Sequence, residues 1–174
     1  MSKQTPTTRR LFFACWPDDT IRREIVERRR LIDGLSRRRV PDHNLHLTLL
    51  FLGNQPADRL DDLIISAGEV EAAGFSLQLD SFGWFKGARV AWLGGPAPAE
   101  SLALVQALSK MVKALGLRFD QRDFHPHVTL FRQVTMRPEF PPVPALRWPV
   151  SEFALIESIP SRPYQVLRSW PLTL

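Results

Sequence analysis

Residues 44–53 read NLHLTLLFLG, an apolar run typical of a buried β-strand, yet it contains a histidine and a threonine two residues apart. Because side chains alternate faces along a strand, His46 and Thr48 should project from the same face. Residues 124–132 read FHPHVTLFR and repeat this spacing with His127 and Thr129. Both stretches fit the pattern His-x-Thr-Leu, and together they use two of the four histidines in the chain. We therefore expect them to form the centre of the fold and of the functional site.

The length and composition of the chain predict one globular domain. Its 174 residues are enough to bury a sizeable core, and 44% hydrophobic and 24% charged residues are ordinary for a soluble protein. The formal net charge of +5 slightly favours an anionic partner such as RNA or a nucleotide. No run is apolar enough to span a membrane, and the run after residue 10 is too short for a signal peptide. We therefore expect a cytoplasmic protein.

The cysteine and histidine content argues against a metal centre. The single Cys15 excludes an internal disulfide and a multi-thiolate zinc site, and its apolar surroundings predict a buried, inert thiol. No carboxylate lies at a recognisable ligand spacing from the four histidines. We therefore predict no metal site and no cofactor.

Hydrophobic periodicity predicts an alternation of helices and strands around the two histidine strands. Helices are expected from Asp18 or Asp19 to about Leu35, around residues 60–70, and over residues 99–115. Further strands are expected at residues 11–16, 75–82, 89–93, 153–159 and 165–172, with a proline-rich loop around residues 138–144. We expect residues 1–10 to be flexible. Because each half offers a helix, a histidine strand and further strands, residues 1–174 should form a single domain of two pseudo-symmetric lobes.

Arginines cluster on and after the first predicted helix. They comprise Arg22, Arg23, residues 28–30 and residues 37–39. A solvated helix face and a rim that contacts RNA phosphates would both produce such a cluster. The sequence leaves these two alternatives open.

Two His-x-Thr pairs facing each other across a groove could open a phosphodiester without a metal. One neutral imidazole would act as general base and one imidazolium as general acid, each contributing ~10²–10⁴-fold to the rate. The two hydroxyl groups could donate hydrogen bonds to the non-bridging oxygens of the phosphate. The alternative is that both histidines are ordinary core residues, which requires the same pattern to arise twice by coincidence.

The sequence gives weaker indications for the roles of the residues that flank the two motifs. Arg132 carries a permanent charge and a fork that matches phosphate, but a surface arginine at a strand end would look the same. Phe131 shares the parity of the second motif, so it either stacks on a base or packs in the core. Phe51 has the opposite parity to the first motif, which predicts a core position. His43 and His125 lack a threonine partner and are expected to be surface or supporting residues.

These motifs resemble the signatures of the two-histidine (2H) phosphoesterase superfamily, and within it the RNA 2′,3′-cyclic phosphodiesterases, also called 2′-5′ RNA ligase-like proteins. The resemblance covers nearly the whole chain. Beside the two signatures it includes an opening strand at residues 10–14, a middle hairpin at residues 82–83 and 90–94, and an ending at residues 157–158 and 164–167. It implies an α+β, bilobal fold in which two mostly antiparallel sheets surround a central cleft, with helices on the outside.

The same resemblance implies a function. The family hydrolyses 2′,3′-cyclic phosphate ends of RNA to 2′-phosphates without a metal, and the reverse 2′-5′ joining reaction is a further expectation. Carried across, His46 would be the proton donor to the leaving O3′, His127 the proton acceptor that activates water, and Thr48 and Thr129 would hold the phosphate. The implied partner is RNA or a nucleotide with a 2′,3′-cyclic phosphate, with no membrane and no obligate protein partner. A phosphodiesterase for small cyclic nucleotides or tRNA-splicing by-products, and a non-catalytic RNA-binding module, remain alternatives.

Overall fold

Ten strands and three helices make up the part of the chain that the computed structural model describes, residues 7–174. The helices are α1 (Asp19–Arg29), α2 (Leu60–Gly68) and α3 (Ala99–Ala114). The strands are β1 (Thr8–Cys15), β2 (Arg38–Arg39), β3 (Leu47–Pro56), β4 (Phe75–Leu79), β5 (Ser81–Phe85), β6 (Val90–Gly94), β7 (His127–Arg132), β8 (Leu146–Val150), β9 (Glu152–Ser158) and β10 (Gln165–Pro171). The predicted α+β class is confirmed.

One large antiparallel sheet carries both histidine motifs. Its strand order is β10-β9-β1-β3-β7-β6-β5, with β2 added beside β7, while β4 and β8 form a separate two-stranded sheet. A single ladder pair, Leu47 with Val128, joins β3 to β7. The structure thus has the expected antiparallel sheets, and the Leu47–Val128 pair links the strands of both motifs into the larger one.

The two faces of the large sheet bury different clusters. Leu11, Phe13 and Cys15 of β1 belong to the main core, which also contains the apolar side chains of the three helices and of the small sheet. Phe12 and Ala14, which alternate with them, belong to a second, smaller cluster with residues of β9. The helices therefore cover one face of the sheet and leave the other face available for a groove.

The first helix is capped at its N-terminus and ends earlier than predicted. The carboxylate of Asp18 accepts a hydrogen bond from the backbone N–H of Ile21 at 2.8 Å, which satisfies one of the unpaired donors of the first turn. The α-helix ends at Arg29, one 3₁₀ turn follows at Arg30–Ile32, and Gly34 then reverses the chain with φ of 90°. None of the helices in residues 7–174 combines the length and apolar character needed to cross a membrane.

Several predicted strand boundaries need correction. The strand expected at residues 75–82 divides into β4 and β5, because the two parts belong to different sheets. Strand β8 was not predicted, since Pro149 interrupts its alternating pattern; the proline is accommodated in a two-stranded sheet where both strands are edges. Thr8 pairs with Pro56 and Arg9 forms an ion pair with Glu157, so β1 begins inside the segment expected to be flexible. Residues 1–6 of that segment lie outside the described residues.

Candidate active site

The two histidine motifs meet where β3 pairs with β7. Leu47 lies opposite Val128, and both side chains are fully buried in the main core. The residues on either side of this pair alternate to the other face and are partly exposed: His46, Thr48, His127 and Thr129. In an antiparallel register, each histidine then lies across from the threonine of the other motif. The structure therefore brings together the four residues that the sequence pattern singled out.

Hydrogen bonds define the state of the His46 ring. Nδ1 lies 2.7 Å from the carbonyl oxygen of Asn44, and because a carbonyl can only accept, Nδ1 carries the hydrogen and donates it. Nε2 lies 3.0 Å from the hydroxyl oxygen of Thr48. In the neutral ring, Nε2 therefore has a lone pair that accepts from the Thr48 hydroxyl, and this atom is the one available for proton transfer.

The ring of His127 is held in the same way. Its Nδ1 donates to the carbonyl oxygen of His125 at 2.6 Å, again a carbonyl two residues before the histidine. This bond fixes the same tautomer as in His46 and leaves Nε2 as the basic atom. The repeated bond indicates that the two motifs share backbone geometry as well as sequence.

Three aromatic rings enclose His46. Trp16 stacks on the imidazole with 5.9 Å between ring centroids, Phe12 lies at 4.9 Å, and Tyr164 presents its edge at 5.3 Å. The side-chain oxygen of Asn44 accepts a hydrogen bond from the backbone N–H of Tyr164 at 3.0 Å, which ties the loop between β9 and β10 to the turn before His46. These supporting residues come from distant parts of the chain, and no local pattern marked them.

Two aromatic rings flank His127. The ring of Phe85 meets the imidazole edge-on at 5.0 Å, and the ring of Trp92 lies at 6.0 Å. Trp92 lies across the backbone of Gly83 and Gly94, where an added Cβ at either glycine would overlap the indole ring. The two glycines therefore provide the space that allows Trp92 to lie beside His127.

Burial lowers the pKa of both histidines because it disfavours the charged form. For His46 the pKa falls to about 4; the hydrogen bond to Asn44 opposes the fall, and the positive charges of Arg132, His127 and Arg22 add to it. For His127 burial is also the main cause of a lowered pKa, opposed by the bond to the His125 carbonyl. The lowered pKa values therefore favour the neutral form of both rings at pH 7.

Two arginines of α1 hold the segment that leads to His46. Arg22 donates to the carbonyl oxygens of Asp42 at 2.6 Å and of Leu45 at 3.2 Å. Arg29 is buried, donates to the carbonyl oxygen of Val40 at 2.8 Å, and forms an ion pair with Asp42. Their guanidinium groups thus position residues 40–45, a role that the sequence did not reveal.

Several of the helix arginines contact the protein itself, which favours a structural role for them over the alternative of a phosphate-contacting rim. Besides Arg22 and Arg29, Arg28 donates to the carbonyl oxygens of Pro144 and Ala145 and so fixes the proline-rich loop. Arg30 is exposed but forms an ion pair with Glu27. Arg38 and Arg39, in contrast, lie in β2 beside β7, close to the second motif.

A β-bulge follows each threonine and changes the orientation of the residues beyond it. In the pairing of β1 with β3, Leu49 has no partner residue, although Thr48 and Leu50 on either side of it are paired. In the pairing of β6 with β7, Leu130 likewise has no partner between Thr129 and Phe131. Such an insertion reverses the alternation of side chains beyond it. The bulged residue is in both cases the leucine of the His-x-Thr-Leu pattern.

The bulges overturn the prediction for Phe51 and decide between the two alternatives for Phe131. Phe131 is 1% exposed and packs in the main core, so it has no face on which a base could stack. Phe51, predicted to be a core residue, instead packs partly exposed against the second cluster on the face of His46, with the guanidinium of Arg10 4.9 Å from its ring centroid. Arg132 is exposed at the end of β7, and its charge reaches His46 closely enough to lower that pKa.

The other histidines and the cysteine lie where the sequence predicted. His43 and His125 are exposed, and His125 contributes its carbonyl oxygen to the site. Cys15 is fully buried, and burial raises the pKa of its thiol. Among residues 7–174, no group of three or more His, Cys, Asp or Glu side chains is arranged to hold a metal ion.

Comparison with known proteins gives consistent matches over most of the chain. Residues 17–160 match the family profile of the 2′-5′ RNA ligase superfamily. The RNA 2′,3′-cyclic phosphodiesterase of Escherichia coli (strain K12) is 37% identical over 94% of this chain and 97% of its own length, and that of Thermus thermophilus is 34% identical over 86% and 81%. The crystal structure of E. coli LigT complexed with 3′-AMP superposes with a TM-score of 0.88 at 34% identity, covering 97% of this chain and all of LigT. The chain therefore belongs to the 2′-5′ RNA ligase superfamily, and the predicted membership of the two-histidine phosphoesterases is confirmed.

Proposed function

We propose that this protein hydrolyses 2′,3′-cyclic phosphate ends of RNA to 2′-phosphates, with His46 as proton donor and His127 as proton acceptor and without a metal. The observation that carries the proposal is the placement of both His-x-Thr motifs on one face around the Leu47–Val128 pair. The relatives named above, which share most of the length of this chain, are RNA 2′,3′-cyclic phosphodiesterases and support the choice of reaction.

The proposed reaction needs two proton transfers at the phosphorus. Nε2 of His127 takes a proton from water as the water oxygen forms its bond to phosphorus. The bond from phosphorus to O3′ breaks, and Nε2 of His46 gives its proton to O3′, leaving the phosphate on O2′. The hydroxyl groups of Thr48 and Thr129 donate hydrogen bonds to the non-bridging oxygens, and the charge of Arg132 stabilises the added negative charge. Exchange with solvent then restores both histidines.

The low pKa of His46 links catalysis to substrate binding. In the free protein its ring is neutral at pH 7, because burial and the nearby positive charges disfavour the protonated form. The negative charge of the cyclic phosphate acts in the opposite direction and raises this pKa. We therefore expect His46 to take up a proton as the substrate binds, so that the acid is formed where it is needed.

The aromatic surroundings of the site favour a nucleotide as the substrate. Trp16, Phe51 and Tyr164 are partly exposed on the face of His46, and such rings stack on bases of any sequence. Small cyclic nucleotides and tRNA-splicing by-products would fit the same catalytic residues, so a preference for oligonucleotide ends over mononucleotides separates the two substrate classes. The joining reaction would use the same two histidines in reverse, with His127 as the acid.

The roles of the histidines are tested by substrates that differ in their leaving group. We expect His46→Ala and His127→Ala each to lower the rate on an RNA 2′,3′-cyclic phosphate by ~10²–10⁴-fold. A substrate with a much better leaving group at the 3′ position should partly restore the rate of His46→Ala, since it needs no acid, but not of His127→Ala. His43→Ala, which changes an exposed histidine outside the site, is the matched control.

Each outcome bears on a different part of the proposal. Rescue of His127→Ala instead of His46→Ala would exchange the two roles and contradict the assignment. Near-normal activity of either alanine variant, with the fold intact by circular dichroism, would contradict the two-histidine mechanism. Binding of RNA without any hydrolysis by the unchanged protein would favour the RNA-binding module instead.

A further inference from the structure

A basic pocket lies beside the site, where β2, β7 and the turn between β5 and β6 meet. It has a volume of about 240 Å³ and is lined by Arg38, Ala88, Arg89, Val90, Arg132 and Gln133. Three of the six lining residues are arginines, and none is acidic. The pocket therefore concentrates positive charge from three different parts of the chain.

The charge of the pocket is not neutralised by the protein. Arg38 lies directly opposite Arg132 in the β2–β7 ladder, and like charges in this position repel each other. The six ion pairs within residues 7–174 use other arginines: Arg9, Arg28, Arg29, Arg30, Arg59 and Arg122. A bound anion would relieve the repulsion, which indicates that the pocket is arranged for one.

The backbone around the pocket is held in an uncommon conformation. Arg89 and Gln133 both have φ of 55°, a region that non-glycine residues rarely adopt. The N–H of Val134 donates to the carbonyl oxygen of Arg89 at 2.8 Å, and the indole N–H of Trp84 donates to the carbonyl oxygen of Val134 at 2.9 Å. These bonds fix the two turns against each other, so the walls of the pocket are held in place before a ligand binds.

We propose that this pocket binds a second phosphate of the RNA strand, upstream of the cyclic phosphate at the 3′ end. This inference rests on the proposed function, since it assigns the ligand from the substrate of the neighbouring site. Arg132 connects the pocket with the active site. It lines the pocket, and it lies three residues, roughly 10 Å of strand, beyond Thr129. Each nucleotide of an RNA strand brings one phosphate, and the planar fork of an arginine matches its oxygens.

If the pocket binds a second phosphate, oligonucleotides and mononucleotides should differ in how tightly they bind. A nucleoside 2′,3′-cyclic phosphate has only the reacting phosphate and leaves the pocket empty. A dinucleotide or a longer strand with the same end adds an internal phosphodiester, and a 5′-phosphorylated nucleoside 2′,3′-cyclic phosphate adds a terminal monoester. Comparing these substrates identifies which phosphate group the pocket takes.

The test uses Arg38→Gln, Arg89→Gln and the double variant, with the catalytic residues unchanged. We expect the KM for the oligonucleotide to rise about tenfold for each arginine removed, as for hydrogen bonds to charged groups. The slope of log KM against log salt should decrease by about 0.7 for each phosphate of the single strand that the variant no longer neutralises. The kcat, and the kcat/KM for the nucleoside cyclic phosphate, should stay within about twofold of the unchanged protein, because neither depends on the pocket.

Two controls separate charge and folding from phosphate binding. Arg30→Gln removes an exposed arginine that lines no part of the pocket and should leave both substrates unaffected. Arg38→Lys keeps the charge at the same position but not the planar fork, and it should recover part of the oligonucleotide affinity. Melting temperatures of all variants should not fall below that of the unchanged protein, which shows that the fold is intact.

Three results would contradict the inference. They are an unchanged oligonucleotide KM in the double variant, an equal loss on the nucleoside cyclic phosphate, and an equal loss in Arg30→Gln. All three leave the proposed function standing, since the unchanged protein still hydrolyses both substrates. If the unchanged protein hydrolyses neither substrate, the proposed function fails, and the inference fails with it.

Discussion

Each of the two histidines donates from Nδ1 to the carbonyl oxygen two residues before it, at 2.7 Å for His46 and 2.6 Å for His127. A general acid or base needs a defined tautomer, and these bonds supply it without any carboxylate partner. Aromatic rings pack against each imidazole, and burial lowers the pKa of both. At the scale of single residues, the proposed mechanism therefore predicts that His46 acquires its proton when the anionic substrate binds.

The pH dependence of the rate follows from these lowered pKa values. The kcat/KM reports the free enzyme, and the proposed roles require His46 to be protonated and His127 to be neutral in it. The resulting dependence of kcat/KM on pH is bell-shaped. If both imidazoles had the ordinary pKa near 6.5, its optimum would lie near neutrality. Because the pKa of His46 is lowered to about 4 and that of His127 is also lowered, we expect the optimum of kcat/KM to lie on the acidic side of pH 6.5.

The pH profile of kcat should differ from that of kcat/KM. The bound phosphate raises the pKa of His46, so the optimum of kcat is expected at higher pH than that of kcat/KM. His127→Ala should lose the acidic limb, because low pH depletes the neutral base, and His46→Ala should lose the basic limb. Steady-state rates from acidic to alkaline pH, extended below the pKa of His46, measure both profiles. Coinciding optima near neutrality would show that burial does not control these groups.

At the scale of elements, the two strands β3 and β7 contain a β-bulge at the same position of the motif. In each, the residue after the threonine is bulged, and the side chains beyond it change faces. The bulge turns Phe51 and Arg132 towards the site and Phe131 into the core. β-Bulges are common next to active sites, where they redirect side chains.

The bulges also mark how far the sequence could predict the site. His46, Thr48, His127 and Thr129 precede the bulges, so the alternation of a regular strand assigned their face correctly. Beyond the bulges the same alternation gave the wrong face for Phe51 and did not decide the position of Phe131. A bulge depends on the hydrogen bonds of two neighbouring strands, which a single strand sequence does not contain.

Other parts of the fold also depend on contacts that the local sequence does not contain. Strong helical periodicity predicted the three helices, but the end of α1 depends on the reversal at Gly34, which the apolar spacing does not report. Strand β8 was missed because Pro149 is typical of a loop and is tolerated only at an edge. The roles of Arg22 and Arg29 depend on carbonyl oxygens that are distant in sequence from both residues.

The hairpin of β5 and β6 offers a test of how His127 is positioned. Gly83→Ala would place a methyl group in the volume of the Trp92 ring, which lies beside His127. We expect the free energy of unfolding to decrease by about 2 kcal/mol, as in other overpacked sites. Displacement of the indole towards the imidazole should also lower kcat by roughly tenfold or more.

Gly87→Ala in the adjoining turn is the matched control, since an added Cβ there meets no atom within 4 Å. We expect it to change stability by less than about 0.5 kcal/mol and to leave kcat unchanged. Urea denaturation and steady-state kinetics measure the two effects. Loss of stability in Gly83→Ala with an unchanged kcat would show that Trp92 supports the sheet but does not position His127.

At the scale of the whole molecule, the single Leu47–Val128 pair joins the two parts of the large sheet and places one histidine motif on each. The acid and the base thus come from strands more than 70 residues apart in sequence, since β3 ends at Pro56 and β7 begins at His127. All the groups that the proposed reaction requires are side chains of this chain: two imidazoles, two hydroxyls and one guanidinium. We therefore expect the protein to open the cyclic phosphate with these groups alone.

The most direct measurement is hydrolysis of an oligonucleotide that ends in a 2′,3′-cyclic phosphate, in the presence of EDTA, with the phosphate position of the product identified. We expect full activity in EDTA, a 2′-phosphate as the only product end, and loss of this activity in His46→Ala and His127→Ala. Abolition of turnover by EDTA with recovery on adding a divalent metal would contradict the account, and so would a product that carries a 3′-phosphate.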